Sequence, residues 1–538
     1  MNPVNCMRSL LKPGFLIPFL FFAALIVLGL CLYRDYGSFW DEGNERYSGI
    51  VNINAIVHTI APAISQRIQH QKGVVIQSLD SYQGRYYGEV LQFPLAGWEV
   101  LRGLNQDKRH MWQTRHLMLF LFVFVSVVFL FLLLKKALGH WGYGLIGAFL
   151  YWMSPRFFAE SFYNVKDVGF LAAFIIGLYF LLLFIERPNS ARSALIGAIS
   201  AFAAAVRILG GVFTLFAFAF NVGKALRRAI SVKSFFLNVI VLGISFSLFL
   251  VLFYPASWTN PFRFFPEALA QMSHYPWNGQ VLFLGKILRA TELPWYYLPV
   301  WIFVSTPLPV ILLFLVGLAF GGFCSRSVDN PPANDYGRAL WLISVLLVIG
   351  SLILVVALRP TLYDGWRHFY FLYGPIVSLA VIGVRQIWLF LCKSCKMANG
   401  VRLSASLLAL ALLMSPVCYW MVENHPFEYV YFNIVGRENE VSNFERDYWG
   451  VSELKGLEYL LKNDNGKRIK LLNEGPILQI SEMLPEVDRE RIDWVAKPED
   501  AEYRVSTFRT MPTDQPTGKE IYRVMVDGHR ILSVVKND

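Results

Sequence analysis

The chain has 538 residues, 55% of them hydrophobic and only 16% charged, with a formal net charge of +11. A mean hydropathy of +0.44 puts it among membrane proteins and excludes an ordinary soluble enzyme. The basic excess does not point to nucleic acid, because Lys and Arg fall mostly between apolar segments, where positive-inside topology accounts for them.

The N-terminus carries Arg8 and Lys12 before an apolar run from Phe15 to Leu32. No small-residue cleavage pattern follows, so the run reads as an uncleaved first span, about 14–33. Directly after it comes Phe39-Trp40-Asp41-Glu42-Gly43-Asn44-Glu45-Arg46-Tyr47. Two adjacent carboxylates just beyond a span, on the far side from the basic terminus, are candidates for chemistry at a membrane surface. A long segment with spaced apolar residues runs on to about Arg115. Its stretches Ile50 to Ile68 and Tyr87 to Leu101 predict amphipathic helices on the membrane surface.

Further spans are expected at about 116–134, 141–154 and 167–184, with an outer loop from Ser154 to Asp167 between the last two. The apolar stretch from Ala194 to Val222 is interrupted at Arg207 and reads as two short spans meeting there. The remaining spans fall at about 235–254, 295–320, 339–357, 369–391 and 403–420, which makes 11. Inner loops would hold Lys135 and Lys136, Arg187 and Arg192, Lys224 to Lys233, residues 321–338, and Lys393 to Arg402. These basic loops and the basic N-terminus put the N-terminus in the cytoplasm. The odd count then places 421–538 outside with Asp41, beside long outer loops at 34–115 and 255–293.

Residues 421–538 have the composition of a small α+β domain appended to a membrane domain, 1–420. Ser452 is expected to cap a helix carrying Leu454, Leu457 and Leu461, and Arg468 to Leu472 reads as a strand. Ile521 to Val526, Asp527-Gly528 and Arg530 to Val535 predict a hairpin, since Asp-Gly readily takes positive φ.

Ionisable groups near a bilayer are costly without partners or a role. Four clusters share the predicted outer side: Asp41-Glu42; the loop holding Arg156, Glu160, Lys166 and Asp167; Arg207; and Tyr363-Asp364-Gly365-Trp366-Arg367-His368. Cations of this kind suit a lipid phosphate, which Arg can bind bidentately. A carboxylate beside them can take a proton from an acceptor hydroxyl. Taken singly, Asp41-Glu42 reads as a solvated loop start, and Arg156 or Lys166 as a headgroup anchor or a partner of Glu160 or Asp167. Arg207 reads equally as a snorkelling residue, and Tyr363 to His368 equally as a solvated turn. The four on one side together favour a site. His58, His274, His368 and His425 show no zinc spacing, and a carboxylate-bound divalent cation leaves no sequence signature. Cys392-Lys-Ser-Cys395 is half of a zinc spacing with no completing pair. There is no Walker loop to support an energy-coupled pump.

With these motifs in order, the chain resembles GT-C glycosyltransferases of the protein O-mannosyltransferase-like group (family 39), which includes the aminoarabinose transferase of lipid A. The resemblance rests on WDEG at Asp41-Glu42, SPRFFAESFYNVKD at 154–167, and AVRILGG around Arg207. It extends to LPWYYLPVWIFVSTP ending at Pro307, YDGWRHFYF at 363–371, and HPFEYVYFN and NFERDYWG near 425–450. It implies a GT-C-type helical fold and a polyprenyl-phosphate sugar as donor. It also implies an inverting transfer to a lipid, glycan or protein acceptor at the outer face of a bacterial inner membrane. Asp41 matches the family's catalytic Asp as general base, with Glu42 supporting it or binding the acceptor. Arg156, Lys166, Arg207, Arg367 and His368 are candidates for the lipid phosphate, with Asp167, Tyr363 and Asp364 as further site candidates. A divalent Mg, Mn or Zn ion stays open as cofactor. The segment 255–293 is too short for the repeat domain of eukaryotic protein mannosyltransferases. Alternatives are a surface-polysaccharide ligase or polymerase, a lipid or small-anion transporter, and a membrane-anchored scaffold. A transporter would place its ionisable groups near mid-membrane, and a scaffold would leave Asp41 without a shared pocket.

Overall fold

The structure is a computed structural model and describes residues 13–69, 76–103, 107–273, 277–322, 331–394, 399–513 and 515–537. His274, Cys6, Cys324 and Cys395 lie outside the described residues. Among the described residues, eight helices are long and apolar enough to cross a membrane. They are Pro13–Leu32, Lys108–Leu138, Asp167–Glu186, Ile208–Leu226, Val232–Phe253, Tyr336–Leu358, Arg367–Ser394 and Ser404–Glu423, and Ser190–Ala204 and Leu308–Phe320 are shorter apolar helices. The chain is a polytopic helical membrane protein with a small α+β unit at its C-terminal end.

The second long helix begins at Lys108, earlier than its apolar part alone predicts. Asp107 caps it, accepting from the Arg109 amide at 3.2 Å, and Gly139 closes it at φ 80°. The stretch around Arg207 is indeed a break, with Ser190–Ala204 and Val212–Leu226 joined through a short 3₁₀ turn at Ile208–Gly211. Helices Leu308–Phe320 and Tyr373–Ser394 touch through backbone. A Cβ on Gly317 would lie 1.8 Å from the Leu379 carbonyl oxygen, and one on Gly383 would lie 2.1 Å from that of Leu313. Only glycine permits that approach.

One expectation is corrected between the third and fourth spans. Residues Pro155–Tyr163 form a helix, not an outer loop. All nine are buried, so their backbone polar groups need partners within the segment, and a helix with Pro155 in its first turn supplies them. The segment after the first span holds helices Glu42–Ile60, Pro62–Gln69 and Gln92–Arg102. Residues 255–293 add helix Pro261–Ser273 and a hairpin of β1 (Gln280–Phe283) and β2 (Lys286–Arg289).

The C-terminal unit packs helix Glu453–Asn463 on a five-stranded sheet ordered β4-β3-β5-β7-β6. The strands are β3 (Ile469–Leu472), β4 (Ile492–Val495), β5 (Tyr503–Thr507), β6 (Lys519–Val526) and β7 (His529–Lys536). β3 runs parallel to β4 and β5, and the other pairs are antiparallel. Asp527 and Gly528 take φ of 51° and 79°, the positive pair that the predicted hairpin needs. Ser452 precedes its helix as expected but does not cap it. Its hydroxyl donates instead to the buried Asp447 carboxylate, which also accepts the Ser452 amide at 3.2 Å.

Candidate functional site

The site lies at the end of the helices that faces this sheet. Asp41 sits at the start of helix Glu42–Ile60 and makes no capping bond, which frees its carboxylate. Arg367, opening the 3₁₀ segment Arg367–Leu372, reaches Asp41 Oδ2 with Nη1 at 2.8 Å. The same Nη1 lies 3.8 Å from Asp167 Oδ2, and Nη2 lies 3.3 Å from Asp364 Oδ2. The guanidinium also rests over the Tyr363 ring at 4.7 Å and the Trp449 ring at 4.9 Å. Asp167 begins helix Asp167–Glu186, its amide bound to Asn164 Oδ1 at 2.9 Å, and its carboxylate pairs with Arg207 from the helix break. Thus Asp41, Asp167, Asp364, Arg207 and Arg367, from four separate stretches of sequence, form one ion-pair network.

Lys166 stands beside this network. Its ammonium lies 4.3 Å from the Tyr87 ring centre, and it makes no ion pair within 4.0 Å among the described residues. His368 and Tyr363 adjoin it, with ring centres 4.8 Å apart and the His368 Nδ1 buried without a hydrogen-bond partner among the described residues. Two predicted residues face elsewhere. Glu42, fully buried, turns from Asp41 to His116 Nε2 at 3.2 Å, since neighbouring helical residues do not share a face. Arg156 is 2% exposed and lies between Trp301 and Phe432, with its Nε donating to the Tyr431 carbonyl at 3.0 Å.

Several groups were not anticipated. Glu45 and Glu89 line a cavity of about 10 Å³ with Lys166, room for one water. Burial raises the Glu45 carboxyl well above its ordinary range and brings Glu89 to about 7, with Lys166 opposing in both. Glu160, bonded to Tyr370 and Asn164, is likewise raised by burial to about 7. From the C-terminal part, Arg509 pairs with Asp364 and lies 3.5 Å from Glu445 Oε1 through its Nε. Burial raises Asp364, and Arg509 and Arg367 oppose it. Burial and then Asp364 bring Glu445 to about 8. Glu445 and Trp449 lie within the NFERDYWG stretch, a signal for them, whereas Arg509 sits in no motif.

Among the described residues no three His, Cys, Asp or Glu side chains come together as a metal site. Asp41 is the carboxylate of the network that reaches solvent, with a third of its side chain exposed against 1% for Asp167 and 6% for Asp364. The arrangement therefore offers one accessible base, held by a cation, next to an ammonium that faces the buried Glu45 and Glu89 without a direct ion pair among the described residues.

No family model matches this sequence, and no curated protein does. A crystal structure of ArnT from Cupriavidus metallidurans bound to undecaprenyl phosphate is similar over 96% of this chain and 97% of that one. The identity is 13% and the TM-score 0.36, too distant to say anything of ligand or reaction.

Proposed function

We propose that this chain is an integral membrane glycosyltransferase that moves one sugar from a polyprenyl-phosphate donor to an acceptor hydroxyl at the outer membrane face. The observation that carries the reading is Asp41. It is a solvent-reaching carboxylate oriented by Arg367 at 2.8 Å, with Lys166 nearby and unpaired among the described residues. A transporter would want such groups at mid-membrane, whereas Asp41 and Asp167 lie where helices Glu42–Ile60 and Asp167–Glu186 begin.

Asp41 takes the proton of the acceptor hydroxyl as its oxygen attacks the anomeric carbon. The new C–O bond forms as the anomeric C–O bond to phosphate breaks, and the polyprenyl phosphate leaves with the electron pair. A single displacement inverts the anomeric centre. Lys166, Arg207 and Arg367 stabilise the charge that grows on the leaving phosphate. Lys166 has most to give, because the two arginines already share carboxylates. Glu42 acts through His116 by fixing the start of the Asp41 helix.

The test is to incubate purified protein with radiolabelled polyprenyl-phosphate sugars and a membrane extract as acceptor source. The reading expects label to pass to an acceptor, with free polyprenyl phosphate released in equal amount. Hydrolysis alone, or uptake of intact donor into vesicles, would contradict it.

A further inference from the structure

The ion pairs of the site do not stop at the membrane helices. Two residues beyond β5, Arg509 reaches out of the C-terminal unit and pairs with Asp364 Oδ1 through Nη2. Arg367 takes the other oxygen, Oδ2, at 3.3 Å, so each oxygen of this buried carboxylate is held by a different arginine. Arg509 is held from its other side by the buried Glu445 at 3.5 Å and lies 6.0 Å from the ring centre of Trp40, the neighbour of Asp41.

We propose that Arg509 is a positioning residue of the site, acting through Asp364 to set the Arg367 guanidinium and with it the orientation of Asp41. The inference rests on the reading of Asp41 as the base. Its consequence is that the C-terminal unit completes the site.

Charge and backbone argue for this together. Arg367 faces three carboxylates with two terminal nitrogens, Nη1 toward Asp41 and Asp167 and Nη2 toward Asp364. Its position is a balance among them. Without Arg509, Asp364 Oδ1 loses its cation, and Asp364 and Glu445 repel with less between them. Asp364 then either binds a proton or draws Arg367 toward itself, and both weaken the hold on Asp41. Asp364 also stands at φ 56° with Gly365 at φ 70°. That left-handed geometry is tolerated by Asp at some cost and persists where contacts fix it. The two arginines are those contacts.

The experiment compares Arg509→Gln and Arg509→Lys with Arg491→Gln. Arg491 belongs to the same unit, but among the described residues its guanidinium bonds only carbonyl oxygens within it, those of Leu461, Asp464 and Gly466. Hydrogen exchange at residues 38–46 and 360–368 is the first readout. Arg509→Gln should speed it about 10-fold while the sheet stays protected, and Arg491→Gln should leave those segments unchanged. The second readout is transfer as a function of pH. Arg509→Gln should lower kcat on the order of 10²-fold, as a misplacement of about 1 Å does, with KM within about threefold. Its acid limb should move to higher pH, because Asp364 has lost a cation. Arg509→Lys should recover part of the rate, since an ammonium holds one carboxylate less directionally than a fork of donors. Should Arg509→Gln fail to fold, Arg509→Lys carries the same test. Unchanged exchange at both segments, or equal effects from Arg509→Gln and Arg491→Gln, would overturn the proposal. If wild type transfers no sugar, exchange still decides whether the unit is coupled to the site, separately from the enzymatic reading.

Discussion

Arg367→Gln removes the cation on which three carboxylates converge. At an effective dielectric of about 20, unit charges about 3–4 Å apart attract by about 4–6 kcal/mol before desolvation. Asp41 is a third exposed, so its share is screened, whereas Asp364 and Asp167 are 6% and 1% exposed. Removing one side of a buried pair costs about 3–5 kcal/mol, because the other side stays buried and unpaired. The loss depends on pH in a direction that can be worked out. Burial raises the Asp364 carboxyl, and Arg509 and Arg367 pull it back. Without Arg367 it rises further. A carboxyl raised in the folded state binds its proton more tightly there than in the unfolded chain. Stability is therefore lost as pH climbs from the unfolded value, about 3.9, through the folded one. Denaturant unfolding in detergent, followed by tryptophan fluorescence, should show a larger deficit at pH 8 than at pH 5. A deficit under about 1 kcal/mol, or one equal at both pH values, would refute this account of the network.

His425 links residues just beyond the first and last spans, with Nδ1 2.7 Å from Glu428 and Nε2 3.1 Å from Asp35. Burial opposes its charge, but these carboxylates prevail and raise its pKa above 6.5. The stabilisation is complete below about 6.5 and lost as pH rises through the folded value. The thermal deficit of His425→Gln should be greatest near pH 6 and vanish by pH 9, and a deficit constant across that range would contradict the pairing. Gly317→Ala should cost about 1–3 kcal/mol by pushing its helix off the Leu379 carbonyl, and an unchanged melting midpoint would show that the backbones do not touch. Arg156→Gln should lower stability by about 1–3 kcal/mol and leave affinity for polyprenyl phosphate unaltered. Lost affinity with normal stability would return Arg156 to the phosphate site.

The helical membrane class was legible because apolar runs of span length have few other readings. Asp527-Gly528 was legible because its backbone demand is local. The break at Arg207 was visible as one charge in an apolar stretch. The helix at Pro155–Tyr163 was not, because its burial comes from contacts with distant segments, such as Arg156 with Tyr431 and Phe157 with Tyr373. The site shows the same division. Asp41, Asp167, Asp364, Arg207 and Arg367 stood out as charges at span ends, and the structure joins them. That Glu42 turns to His116 and Arg156 to a carbonyl depends on side-chain direction, which the sequence does not carry. Arg509 lies 142 positions from Arg367 and in no motif, so only the packing of the sheet could bring it to Asp364.

The most direct test of the central claim is Asp41→Asn, measured for sugar transfer and for donor binding on the same folded preparation. The account predicts that transfer falls by about 10²–10⁴-fold, the share a positioned base contributes, while polyprenyl-phosphate donor still binds and the melting curve keeps its shape. Transfer equal to wild type by a folded Asp41→Asn would contradict it and remove Asp41 from the centre of the chemistry.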